Sequence, residues 1–181
     1  YNDVLDQQPT ALGARRPPEA GQAGFAALIE PVRPLFKEEV RQVAEMLGLP
    51  GELVNRQAFP GAGLAVRCMG EVSERKLLML RKADAIYCEA IAQAGLDRRI
   101  NQYFAVLTDV QTRGSLEGAP TKGYTVALRA VNHSGDMSAG AYRLPYDLLE
   151  RVVMRITTEV EGVNRVVYDV TGKPPATIEW E

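Results

Sequence analysis

Hydrophobic residues recur every three or four positions in two stretches of the first half of the chain, a spacing that predicts amphipathic helices. The first begins at Pro34 and ends at Gly48, over roughly 14 residues. The second follows Ser73, a residue type that caps helix N-termini, and ends at Gly95. We expect this second helix to be the longest. The apolar stripes are Phe36, Val40, Val43 and Leu47 in the first helix, and Leu77, Leu80, Ile86 or Tyr87, and Ile91 in the second.

A third helix is predicted near the carboxyl end of the chain. Pro145 suits its first turn and Gly162 its end. Asp147 and Arg151 are four residues apart, which favours an ion pair on the surface of this helix. Its apolar stripe consists of Leu148, Val152, Ile156 and Val160.

Runs of apolar, β-branched and aromatic residues predict strands between and after these helices. Residues 109–123 carry three glycines and Pro120, which predicts a connecting loop that is functional or mobile. Strands mixed with two long helices indicate an α+β fold, in which a small sheet packs as one layer against the helices. The predicted strands are residues 64–69, 103–107, 124–131 and 164–170, with a short edge strand at 177–180.

The amino-acid composition limits the kinds of partner, compartment and metal site that this chain could have. The chain has 181 residues, and its formal net charge of −2 argues against nucleic acid as the main partner. Apolar runs are too short for a membrane span. The cysteines Cys68 and Cys88 lack disulfide or zinc spacing, so we expect reduced thiols and a cytoplasmic protein. With His133 as the only histidine, a histidine-rich metal centre is excluded. Because Tyr1 is not a methionine, we expect the natural start to lie upstream.

The chain ends in a corner suited to an anion. Gly172 permits a turn, two prolines stiffen the segment that follows, and Lys173 and Thr177 are fixed near backbone N–H groups. A lysine supplies a compact positive charge to a phosphate. The pattern on its own indicates a phosphate site only weakly, since a turn lysine is more often simply solvated.

The closing pattern Lys-Pro-Pro-x-Thr-x-Glu-Trp-Glu closely resembles the carboxyl terminus of glutamine-hydrolysing GMP synthetases. The resemblance covers roughly residues 28 to 181. Many ordered motifs carry it, including Glu-Pro-x-Arg-x-Leu-Phe-Lys-x-Glu-Val-Arg and Phe-Pro-Gly-x-Gly-Leu. In this chain the matching segments are residues 30–41, 47–50, 59–64, 70–72, 81–86, 124–131, 144–151 and 173–181.

The resemblance implies a domain organisation and a function. Residues 28–55 would be the terminal piece of an ATP-pyrophosphatase-like domain, residues 56–181 the dimerisation domain, and residues 1–27 a loop or disordered segment. The family aminates xanthosine monophosphate (XMP) to GMP with ATP, Mg²⁺ and ammonia from a glutaminase domain. The resemblance and the apolar strands of a small domain predict a homodimer. We find no pyrophosphate-loop or glutaminase motif, so we expect a chain that is not catalytic alone and needs those domains in cis or in trans.

The resemblance also implies a set of XMP-binding residues. Lys173 and Thr177 would bind the nucleotide phosphate, Glu179 and Gln102 would contact XMP, and Arg56 would add a guanidinium beside the Pro-Gly-x-Gly loop. Each has a plainer explanation. Lys173 suits a solvated turn, Thr177 a backbone cap, Glu179 an edge-strand charge, Gln102 a satisfied amide and Arg56 a surface ion pair.

The chain departs from the family pattern in two loops. Gln57 and Ala58 replace the His-Pro that follows the arginine of the first loop, and Ala62 replaces its second proline. Residues 109–118 replace Pro-Val-Arg-Ser-Val-Gly-Val-x-Gly-Asp. These changes keep open two alternatives to a synthetase fragment: a diverged stand-alone module that binds XMP or another purine nucleotide, and a purely structural dimerisation module.

Overall fold

A computed structural model describes residues 29–61, 63–116, 118–134 and 138–180. The side chains of Glu38 and Leu116 are not described. The predicted loop at 1–27 lies outside the described residues. The chain divides into two compact units, Tyr1–Arg56 and Gln57–Glu181, while the domain assignment stays a prediction.

The described part of the first unit, residues 29–56, contains two short helices, α1 (Lys37–Met46) and α2 (Gly51–Val54). The Glu39 carboxylate accepts a hydrogen bond from the Phe36 N–H at 2.7 Å, which fixes the start of α1. Gly48 has a φ of 76°, so it ends the helix in a left-handed conformation that suits glycine. The predicted helix is therefore confirmed, although it begins at Lys37 instead of Pro34.

The second unit contains a four-stranded mixed sheet. Strands β1 (Gln102–Leu116) and β2 (Ala119–His133) form a long antiparallel hairpin, and β3 (Ala139–Ala141) continues the antiparallel pairing beyond β2. Strand β4 (Val163–Asp169) pairs with β2 in parallel. The two further helices are α3 (Glu74–Gln93) and α4 (Tyr146–Glu159). The α+β class is confirmed.

Both helices cover the same face of the sheet, here called the helix-covered face. Side chains alternate along a strand, so Ala105 and Leu107 of β1 point to this face together with Val126 and Leu128 of β2. They form one apolar cluster with buried residues of α3 and α4 such as Leu80. This cluster is the core. Its other buried members include Ala83, Tyr87, Ile91, Leu148, Val152 and Ile156.

The predicted ends of α3 agree with the structure. The Ser73 hydroxyl accepts a hydrogen bond from the Lys76 N–H at 3.3 Å and so caps α3. Gly95 follows the helix with a φ of 66°. In α4, Arg151 and Asp147 form the predicted pair at 2.8 Å.

Three predictions about local structure were wrong. Residues 64–69 are not a strand, since Gly63–Arg67 form a 3₁₀ helix and only Cys68 bridges to Leu107. Residues 109–123 are not a long loop, because β1 and β2 stay paired out to Leu116 opposite Ala119. Residues 177–180 are irregular and form no edge strand.

Two glycines explain why the hairpin continues. A Cβ at Gly114 or Gly123 would lie 2.9 Å from side-chain atoms of Asn164. The Asn164 amide instead closes on β1, donating to the Thr112 carbonyl at 2.8 Å and accepting from the Thr112 hydroxyl at 2.8 Å. The glycines that suggested a loop therefore serve close packing in a strand.

Candidate functional site

After β4 the chain turns back across the other face of the sheet, here called the tail-covered face. Phe104, Val106 and Ala127 are fully buried on this face. Ile178 and Trp180 from the last residues of the chain pack against them. The tail, residues 170–180, thus takes the place that a second layer of helices has in other sheets.

Lys173 is held by its backbone at the edge of the sheet. Its N–H donates to the Ala139 carbonyl at 2.7 Å, and its carbonyl accepts from the Ala139 N–H at 2.9 Å. A Cβ at the preceding Gly172 would meet the same Ala139 carbonyl at 3.3 Å, so glycine suits this close approach. The backbone that carries the Lys173 ammonium is therefore fixed relative to β3.

Thr177 lies four residues further along, on the exposed side of the tail. Its carbonyl accepts a hydrogen bond from the Arg129 guanidinium at 2.8 Å, and its hydroxyl donates to the Glu179 carbonyl. The chain turns between Lys173 and Thr177. The Ala176 N–H donates to the Gly172 carbonyl at 3.1 Å and closes this turn. We call residues 172–176 the Lys173 loop.

Arg129 lies at the centre of β2 and is 0% exposed. One terminal nitrogen of its guanidinium donates to the Asp169 carboxylate at 2.6 Å and to the Thr171 carbonyl at 2.9 Å. The other terminal nitrogen binds Thr177. A single buried cation therefore contacts the chain on both sides of the Lys173 loop.

Asp169 ends β4 and balances this buried charge. Burial by itself would raise the pKa of the Asp169 carboxyl. Hydrogen bonds from Thr171, the positive charge of Arg129 and the Trp180 indole N–H outweigh burial and hold that pKa below its usual value. The indole N–H donates to Asp169 at 3.0 Å, which fixes the ring of the only tryptophan in the chain.

Glu179 is bound by a second buried arginine. Arg67 is 2% exposed, and its Nε and a terminal nitrogen donate to the two Glu179 carboxylate oxygens at 3.0 and 2.9 Å. This bidentate geometry is the strongest form of such a pair. The guanidinium also lies over the Phe104 ring, 4.0 Å from its centre, and over the Phe59 ring at 4.9 Å. The predicted edge-strand charge is thus a fixed contact of the tail.

The two remaining predicted site residues are not part of the tail. Gln102 is the first residue of β1, opposite Val131, and alternation along the strand places it on the tail-covered face with Phe104. Arg56 is exposed in the first unit, after α2. The structure therefore brings Lys173, Thr177 and Glu179 together on the tail.

A cavity of about 510 Å³ opens between the tail and the end of β4. It combines apolar surface from Val167 and Trp180 with threonine and carboxylate groups. Lys173 and Gln102 are not among its lining residues, so it is not the complete predicted XMP site. Its lining residues are Val167, Asp169, Thr171, Ala176, Thr177, Glu179 and Trp180.

Both substituted loops have internal contacts that explain the new residues. The Gln57 side-chain oxygen accepts from the Tyr103 N–H at 2.9 Å near the start of β1. Asp109 binds the buried Lys76 ammonium at 2.8 Å, and that ammonium also donates to the Met69 and Glu71 carbonyls at 3.0 Å. In this chain, Gln57 and Asp109 thus make contacts within the fold.

Sequence reasoning missed the residues that hold the tail, namely Arg67, Arg129 and Asp169. A signal was present. Arg67 and Arg129 each interrupt a run of apolar residues, and a charge in such a run is rarely buried unless it is paired.

Within the described ranges, no three histidine, cysteine or acidic side chains are grouped so that they could hold a metal ion, and no helix is long and apolar enough to cross a membrane.

Known proteins with similar sequences point to one family. A family model described as the GMP synthase C terminal domain matches residues 89–180, just over half of the chain. The glutamine-hydrolyzing GMP synthase of Clostridium tetani is 54% identical over 154 residues, which are 85% of this chain and 30% of the relative. That of Clostridium novyi is 56% identical over 155 residues, 86% of this chain and 30% of the relative. The chain thus spans about 30% of the length of these relatives.

Proposed function

This chain belongs to the GMP synthase family, and from that premise we propose that it supplies the dimerisation surface of such an enzyme and part of its XMP phosphate site. The reaction would be the ATP-dependent amination of XMP to GMP. The chain itself would contribute binding groups and no catalytic residue.

The observation that carries this proposal is the fixed Lys173 loop. Its backbone is bound to Ala139 at Lys173. The residues before and after the loop, Thr171 and Thr177, are bound to Arg129. A phosphate site gains affinity when its donors are ordered before the ligand arrives. We propose that the Lys173 ammonium binds the phosphate of XMP and that the Thr177 hydroxyl turns its proton from the Glu179 carbonyl to the phosphate when XMP binds.

Three further residues are proposed as XMP contacts. Each Glu179 oxygen already accepts from Arg67 but keeps a second lone pair, so Glu179 can bind XMP without losing that partner. Gln102 offers an amide donor and acceptor at the start of β1. The family resemblance also supports Arg56 as an XMP contact, through its guanidinium.

The other substrates of the reaction are proposed to bind outside this chain. Residues 28–55 would close an ATP-pyrophosphatase-like domain, which would bind ATP and Mg²⁺. Among the described residues, no three histidine, cysteine or acidic side chains are grouped as metal ligands. The glutaminase domain, in cis or in trans, would supply ammonia.

Calorimetry with XMP tests the phosphate site. We expect heat of binding for the unmutated chain and at least tenfold weaker binding for Lys173→Ala, since a charge-assisted contact to the phosphate is lost. Lys82→Ala, an exposed lysine of α3, is the matched control and should bind as the unmutated chain does. No heat for the unmutated chain would sink the proposal.

The homodimer is tested by sedimentation. A species near twice the chain mass of 19.8 kDa at micromolar concentration is the expected result. A single species at the monomer mass would contradict it.

A second candidate is a diverged module that binds a purine nucleotide, or only dimerises, without taking part in synthesis. The internal contacts of Gln57 and Asp109 favour it, because these residues replace family positions and now serve the fold. A reading frame that encodes a pyrophosphate-loop motif upstream of Tyr1 would favour the synthetase, and a frame without one the module.

A further inference from the structure

We infer that Arg129 is a positioning residue for the nucleotide phosphate, which it never touches. Its buried guanidinium fixes both sides of the Lys173 loop and so sets the distance between Lys173 and Thr177. This inference rests on the proposed function, because it names the residue that orders the proposed phosphate site.

The geometry singles out Arg129 among the residues that contact the tail. Its hydrogen bonds to Asp169 and Thr171 fix the chain before the loop, at 2.6 and 2.9 Å. Its bond to Thr177, at 2.8 Å, fixes the chain after it. The other buried arginine, Arg67, contacts only the far end of the tail through Glu179. Asp169 also contacts the chain before and after the loop, at Thr171 and Trp180, but among the described hydrogen bonds Arg129 alone joins the two residues that directly flank the loop, Thr171 and Thr177.

The fold does not need a charge at this position. Arg129 lies on β2 directly opposite Phe104, with Ala127 and Val131 as its neighbours on the same face. An apolar residue would fill this site without the cost of burying a cation. None of the described residues accepts a hydrogen bond from Arg129 Nε. The donors that are satisfied all bind the tail or the carboxylate that ends β4, which indicates that the tail is the reason for the charge.

The chemistry of the side chain explains why it is an arginine. A guanidinium is planar and directs its terminal nitrogens in fixed, different directions, so it can bind two chain segments at once. Because Asp169 neutralises Arg129, the proposed phosphate would meet the charge of Lys173. Arg129 is 0% exposed and cannot reach a ligand. Its effect on binding therefore has to pass through the loop.

A double-mutant cycle on XMP affinity tests whether Arg129 acts on binding through the Lys173 loop. Arg129→Lys keeps the charge beside Asp169 but loses the fork, and we expect it to weaken XMP binding by about tenfold through loss of preorganisation. Lys173→Gln removes the charge that the loop carries. If Arg129 acts through Lys173, the double variant binds less weakly than the product of the two single losses predicts. Arg151→Lys, an exposed arginine paired with an aspartate, is the matched control and should not change the affinity.

The possible results are distinct. An unmutated chain that does not bind XMP defeats the proposed function itself. Binding by the unmutated chain with undiminished affinity in Arg129→Lys overturns the positioning role alone. Losses that multiply in the double variant also overturn it, because a merely structural role would act independently of Lys173. If Arg129→Lys does not fold, Asp169→Asn replaces it in the same cycle, with the same expected coupling to Lys173→Gln and the same contradicting result.

Discussion

The helix-covered face of the sheet is held by apolar side chains, whereas the tail-covered face is held by two buried arginines and their partners. On the first face, residues such as Leu80 and Leu128 are completely buried in one continuous cluster. On the second, the small buried cluster of Phe104, Val106 and Ala127 is flanked by Arg67 and Arg129. Apolar contacts stabilise without fixing a direction, while a guanidinium fixes the groups that it binds. The first face therefore gives stability, and the second gives the tail one defined path.

The largest expected effect lies on the helix-covered face. Leu80→Ala should lower the free energy of unfolding by about 2–5 kcal/mol, since it removes a fully buried side chain and leaves a cavity. Denaturation in urea measures this loss. The emission of Trp180 in the folded protein should stay unchanged, because the tail is on the other face. Leu78→Ala, 48% exposed in the same helix, is the control and should have a much smaller effect.

A smaller effect is expected on the tail-covered face. Arg67→Met removes both hydrogen bonds to Glu179 and should cost about 1–3 kcal/mol. It should also shift the emission of Trp180 to longer wavelength in the folded protein, because the adjacent residue loses its anchor. Arg81→Met, an exposed arginine of α3, should change neither quantity. Unchanged Trp180 emission in Arg67→Met would show that the two faces are not held differently.

Acid should release the tail before it unfolds the core, and this is the smallest expected effect. The pKa of Asp169 is lowered in the folded protein, so its contribution to stability is complete above its unfolded pKa. That contribution is lost as the pH falls below about 4 and through the folded pKa. A titration of Trp180 emission measures it. The step should be absent in Asp169→Asn, and a step that persists there would assign the transition to another group.

Much of the helix-covered face could be predicted from the sequence. Ser73 and Gly95 carry local signals for the ends of α3, and the apolar stripe between them repeats with the helical period. The strand predicted at residues 64–69 was wrong because a short apolar run has no period that distinguishes a strand from a helix. The extension of the hairpin was not predicted because Gly114 and Gly123 were interpreted as turn residues. Their role depends on Asn164, which is distant in sequence.

The tail-covered face could be predicted only in part. The corner at Gly172 and Lys173 was identified from residue types and from the family resemblance. The attachment of the tail to the sheet could not be predicted, because Arg129 and Thr177 are 48 residues apart and Arg67 and Glu179 are 112 residues apart. Pairs at such distances leave no periodic signal in one sequence. What remained visible was a charge inside an apolar run.

We propose that the tail-covered face, and not the helix-covered face, forms part of a nucleotide phosphate site. Amide chemical shifts of the labelled chain during titration with XMP test it most directly. We expect the largest shifts on Gly172, Lys173, Ala176 and Thr177, with little change in α3 and α4. Shifts concentrated on the helices, or none in the Lys173 loop while XMP binds, would contradict it.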